Sequence, residues 1–178
     1  MSADPLDRLA AEAGVDEAVR RLGHQAWLRR RAEESASLLG LLADLAERQD
    51  PVELLLVGGG RRHGCIETVG SDLVGLRLDD RRLELVARRA LAAIRPDRGV
   101  PDLVGDRNVP HDGPNLRDVL DRLVADQPRV TITLVGTVIP VEGVLERLGR
   151  DVLLVREADG STTHLPFGAV VEVLVASD

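Results

Sequence analysis

Lysine and tyrosine are absent from this 178-residue chain, and tryptophan, phenylalanine and cysteine occur once each, as Trp27, Phe167 and Cys65. A lone cysteine excludes a disulfide framework or a cysteine-based zinc site within one chain. With so few aromatics the core must be aliphatic, Val and Leu above all, although the hydrophobic share of 44% is ordinary. All 23 basic residues are arginine, a usage that looks like codon bias in a GC-rich genome, and against 30 acidic residues they leave a net charge of −7. Such acidity argues against wholesale attraction to nucleic acid or an anionic membrane, because binding phosphate needs a basic face. No stretch approaches the roughly 18 apolar residues that cross a bilayer. The opening MSADPLDRLA has neither the basic start nor the apolar run of a secretory leader. A soluble cytoplasmic protein is expected, without membrane association and without a cofactor.

What is present is a repeat. QDPVELLLVGGGRRHGCIETVGSDLVGLRL (Gln49 to Leu78) returns as QPRVTITLVGTVIPVEGVLERLGRDVLLV (Gln127 to Val155), displaced by 78 residues at Val52/Val130 and by 79 after a one-residue slip in the first loop. Gln49/Gln127, Gly58/Gly136, Gly64/Gly143, Glu67/Glu146, Asp72/Asp151 and Arg77/Arg156 fall into register. A unit of roughly 50 residues used twice points to two small domains in place of one large enzyme core.

Organisation follows from that. Val15, Val19, Leu22 and Ala26, then Leu38, Leu39, Leu42 and Leu45, recur at helical spacing, so residues 1–50 read as a helical amino-terminal segment weakened at Gly23 and Gly40. Each copy opens on its own helix, LLADLAERQ in the first and NLRDVLDRLVADQ in the second, where Asn115 suits an N-cap. Short β-rich segments follow, punctuated by GGG, GS and DD in the first copy and by Pro140, GR and ADG in the second. Five strands in each copy describe a small closed barrel. The expected domains are therefore a first barrel at 51–96, a Pro/Gly/Asp-rich flexible linker at 97–114, and a second helix with its barrel at 115–178. One ten-stranded barrel is the alternative arrangement.

A helix followed by five bent strands, with a glycine inside strand two and an acidic residue at the turn into strand three, resembles the Sm-like fold of Sm and LSm proteins and of the bacterial RNA chaperone Hfq. Gly64 with Asp72, and Gly143 with Asp151, carry that likeness as structural positions, together with GCIET and ARRAL in the first copy. The chain is also similar to a group of actinobacterial proteins with helix-plus-small-barrel layouts, a likeness that implies no function. The fold it implies is α+β: an amino-terminal helix, then two tandem five-stranded Sm-like small β-barrels, each preceded by a helix. In this resemblance Arg88 and Arg89 match the basic residues that line the Hfq pore, while Phe167 and Gly168 stand there in the second copy. The family's uracil-reading asparagine is replaced by Gly75 and Leu154, and neither loop carries a stacking aromatic. Stacking contributes about 1–3 kcal/mol per base, so most of the usual affinity for single strands is missing.

Two functions follow. One is a non-enzymatic protein-interaction or scaffold module that self-associates or docks an unidentified protein; the alternative is an RNA-binding or RNA-chaperone protein using Arg88 and Arg89 with Arg61 and Arg62. Sm-like units pair the edge of strand four with strand five of the next unit; the same pairing between copies within one chain would leave a monomer or dimer, the favoured arrangement, and between chains it would close three chains into a six-unit ring. VGGGRRHG lacks the Gly-Lys-Ser/Thr of a phosphate-binding loop and reads as a hairpin turn. His63 and Cys65 would share one strand face without a third ligand, and His24, His111 and His164 stand apart from any nucleophile, so neither a metal site nor an enzyme is expected.

Overall fold

The computed structural model describes residues 21–24, 26–27, 30–31, 36–98 and 113–176. The chain divides into two compact units, Met1–Leu41 with Pro101–Asn108, and Leu42–Val100 with Val109–Asp178. In the first unit the described residues between 21 and 31 are helical, and half-exposed Trp27 stacks on His24 with Arg31 above its ring. Residues 15–20 of the expected helix, His111 and most of the 97–114 linker lie outside the described residues.

Helix α1 (Leu38–Arg48) begins where the Ser37 hydroxyl accepts the amide of Gly40 at 3.0 Å. Its apolar positions Leu42 and Leu45 are fully buried. The first copy continues as β1 (Pro51–Leu56), β2 (Arg61–Val69), β3 (Leu73–Leu78), β4 (Leu83–Ala87), a 3₁₀ turn, and β5 (Leu91–Pro96). The second supplies α2 (Leu116–Val124), β6 (Arg129–Leu134), β7 (Val141–Leu148), β8 (Val152–Arg156), β9 (Thr162–Pro166), a second 3₁₀ turn, and β10 (Val170–Val175). Asn115 caps α2 as expected, its side-chain oxygen accepting the Asp118 amide at 2.8 Å. The GGG segment is a hairpin turn with Gly58 and Gly59 in the left-handed region, φ 103° and 90°.

These strands do not close into two separate barrels, which corrects the α+β expectation of two tandem five-stranded Sm-like barrels. They form one open, antiparallel sheet in the order β5-β1-β2-β3-β4-β10-β6-β7-β8-β9. Each copy contributes five strands, but β4 does not pair with β5 of its own copy. It pairs with β10 of the other, Leu83↔Val175 through Val86↔Glu172. An unpaired strand edge leaves amides and carbonyls unsatisfied, and here the edges of the two copies satisfy each other. The single closed ten-stranded barrel does not form either, because β5 and β9 end the sheet without pairing with each other. Pairing of a fourth strand with a fifth between copies, one of the arrangements open to the sequence, is the device that joins the halves.

Period-two alternation accounts for the core. In β1, Val52, Leu54 and Leu56 are buried between half-buried neighbours, and Val130 and Ile132 repeat this in β6. The central strands β4 and β10 bury both faces and read as near-continuous apolar runs.

Several repeated residues now have physical reasons. Gln49 and Gln127 both lie in the left-handed region just past their helices, at φ 55° and 46°. Glu67 and Arg77 form a cross-strand ion pair at 2.5 Å, and Glu146 and Arg156 form the same pair at the same distance. The register of β2 against β3 slips around Glu67, and that of β7 against β8 around Glu146, so the irregularity lies beyond Gly64 and Gly143. These two glycines answer a different demand: a Cβ on either would run into the facing carbonyl, of Arg77 or of Arg156.

Candidate functional site

The pairing of β4 with β10 places two glutamates inside the sheet. Glu84 is 1% exposed and Glu172 2% exposed, although each stands in an otherwise apolar strand, LELVA and VVEVLV. An ionised carboxylate withdrawn this far from water is costly unless paired. The pairing group is Arg62, at the start of β2. Its Nε donates to Glu84 Oε1 at 2.8 Å, and its Nη2 donates to Glu172 Oε1. The Thr133 hydroxyl on β6 donates to the same Glu172 oxygen at 2.7 Å. One cation thus serves two anions, and the Oε2 atoms of both glutamates are buried without a hydrogen-bond partner.

Electrostatics follow from that shortage. Burial, and then the negative charge of Glu172, push the Glu84 carboxyl up from 4.5 to about 7 against the pull of Arg62. The carboxylates border a cleft of about 320 Å³ whose other charged side chains, among the described residues, are Arg62 and Arg82. Arg82 is engaged with Asp80 at 2.6 Å.

Arg89 fastens the other end of the seam. From the 3₁₀ turn after β4 its Nη2 donates to the carbonyls of Phe167, Gly168 and Val170, at 3.2, 3.0 and 2.8 Å. Of the four arginines that the sequence offers for RNA, Arg62 and Arg89 therefore span the join between copies. Arg61 turns to Glu53 on β1 at 3.4 Å. Arg88 uses its backbone amide, which donates to the Asp72 carbonyl at 2.7 Å. Asp72 also takes the Leu116 amide on its Oδ1 at 2.7 Å, so an acidic residue of the first copy caps the helix of the second. Asp151 offers its backbone carbonyl to Phe167 at 2.8 Å, and its side chain is exposed.

His63 does not join Cys65 as a ligand pair; its imidazole sits between two carboxylates. Nδ1 is 3.1 Å from Asp79 and Nε2 2.9 Å from Asp97, and the hydrogen bond to Asp97, then that to Asp79, raises its pKa above the usual 6.5. Cys65 points its thiol at the Gln49 carbonyl, 3.4 Å away. Among the described residues no group of three or more His, Cys, Asp or Glu side chains is gathered to hold a metal ion.

Sequence reasoning missed Glu84 and Glu172. A signal was present: at the positions displaced by 79 the other copy has Thr163 and Ala93, so each glutamate is a charge that one repeat carries and the other lacks. No described helix is long and apolar enough to cross a membrane. No known protein family matches the chain, and no curated protein matches it either.

Proposed function

We propose that this protein is a non-enzymatic interaction scaffold whose partner adds a strand at its open sheet edges, and that the first such partner is a second copy of the chain. The observation that carries the reading is the exposed pair β5 and β9 at the two ends of the sheet. By the repeat, β9 corresponds to β4 and β5 to β10, and β4 and β10 pair with each other. Shifting that register by 79 residues sets β9 of one chain against β5 of another as Thr162↔Pro96, Thr163↔Arg95, His164↔Ile94 and Leu165↔Ala93. Strand addition of this kind derives affinity from main-chain hydrogen bonds and specificity from alternate side chains.

The RNA-binding reading has less support, because Arg62 and Arg89 are engaged by protein acceptors and the chain offers only Trp27 and Phe167 as aromatics on which a base could stack. Light scattering over a concentration series tests the scaffold reading, with hydrogen exchange as the local readout. We expect a dimer at high concentration, with new protection in β5 and β9. A monomer throughout, with both edges unprotected, would refute self-docking. A mass of three or six chains, together with salt-resistant binding of U-rich RNA, would favour the RNA reading.

A further inference from the structure

Glu84 and Glu172 come from different copies of the repeat and meet on the pairing that unites the sheet. Three elements supply the polar side chains around them. From β2 comes Arg62, from β6 the uncharged hydroxyls of Thr131 and Thr133, and from the turn before β4 comes Arg82, held by Asp80; among the described residues no other charged side chain borders the cleft. Arg62 bridges the two Oε1 atoms and leaves both Oε2 atoms buried and unpartnered. Each orphaned acceptor carries the desolvation cost of a buried polar group, greater when it is charged. One shared proton would remove both deficits at once, as an Oε2–H on one glutamate donating to the Oε2 of the other, and would make the cluster of two glutamates and one arginine neutral.

We propose that Glu84 and Glu172 form a proton-binding site that holds one shared proton between their Oε2 atoms, and that this proton locks the seam between the two repeats. The site is specific to this seam, since the corresponding pair at the outer edges is Thr163 and Ala93. When the proton leaves, two buried carboxylates share one guanidinium and β4 parts from β10 more readily. The rise of the Glu84 carboxyl to about 7 is consistent with a proton retained near neutral pH. Its sign sets the direction: a carboxyl whose folded pKa is raised stabilises fully below its unfolded value near 4.5 and loses that contribution as pH rises through about 7. The seam therefore tightens on acidification.

The test is hydrogen exchange of β4 and β10 amides between pH 4.5 and 8, corrected for intrinsic exchange and referenced to amides of the β7/β8 pairing. Wild-type protein should show a seam-opening equilibrium that rises by about 80-fold between pH 4.5 and 7 and levels off at about 150-fold by pH 8, as expected from the displacement to about 7. Glu84→Gln places an amide donor where the proton sits, so it should keep the seam protected and flatten this dependence. Glu172→Gln should do the same and serves if the first variant fails to fold. Carbon-13 titration of the glutamate carboxyls gives an independent readout, with one step near neutrality expected. Protection that is independent of pH, protection that follows sodium concentration instead, or carboxyl steps confined to the ordinary range would each overturn the proposal.

Discussion

Substituting Gly64 by alanine adds one methyl group, and the structure indicates where it goes. The new Cβ would fall inside the envelope of the Arg77 carbonyl oxygen, 2.9 Å from its carbonyl carbon and 3.1 Å from the Leu78 Cα. All three atoms are backbone, so no side chain can rotate away, and β3 must move. That strand is held by β2 on one side and β4 on the other, and it contributes the fully buried Leu73, Val74 and Leu76. Forcing extra volume into such packing costs about 1–3 kcal/mol. A mid-range loss of about 2 kcal/mol lowers the melting temperature by roughly 4–8 °C in a protein of this size. Gly143→Ala should behave alike, its Cβ meeting the Arg156 carbonyl in the other copy. Gly168→Ala is the control, because nothing lies within 4 Å of its Cβ position and its φ is not left-handed; a change within about 0.5 kcal/mol is expected there. Urea unfolding followed by circular dichroism measures all three. Midpoints for Gly64→Ala and Gly143→Ala that match the Gly168→Ala control would refute the close-approach argument.

Arg62→Ala strands two buried carboxylates and should cost about 3 kcal/mol by urea titration near pH 8, with a clearly smaller cost when Glu84 and Glu172 are both glutamine. His63, whose pKa is raised by Asp97 first and Asp79 second, contributes stability that is complete below 6.5 and is lost as pH rises through its higher folded value. Stability profiles of wild type and His63→Gln should therefore diverge on the acid side and converge on the alkaline side, and the imidazole proton resonances should titrate above 6.5. Asp72→Ala removes the acceptor of the Leu116 amide and should cost about 1 kcal/mol, whereas Asp151→Ala, at an exposed side chain, should cost less; paired thermal melts compare them.

The elements themselves were largely legible in the sequence. Alternation in VELLLV and VTITLV, the GGG turn, Asn115 after Pro114, and the repeated Gly58/Gly136 and Gln49/Gln127 each express a local rule, so neighbouring residues alone suffice to place strands, turns and caps. The choice of partner strand was not legible. Main-chain hydrogen bonding is nearly indifferent to side-chain identity, so the sequence of β4 is as compatible with closing its own copy as with joining β10. For the same reason the arginine doublets do not reveal their partners: the acceptors of Arg89 lie 78 to 81 residues away, and the carboxylates that Arg62 holds lie 22 and 110 residues away.

Local pattern alone specifies a duplicated, aliphatic, β-rich chain, because period-two hydrophobicity and turn chemistry act over a few residues and need no distant partner. It took folding to set the copies in one open sheet, to bring Glu84 and Glu172 onto the central pairing, diagonal to each other with Val86 opposite Glu172 and Leu174 opposite Glu84, and to have Asp72 of one copy cap the helix of the other. Those outcomes depend on which edge satisfies which, and on how a buried charge finds its counter-ion. Both are settled by desolvation and hydrogen bonding among groups brought together by folding, over separations that local pattern does not encode.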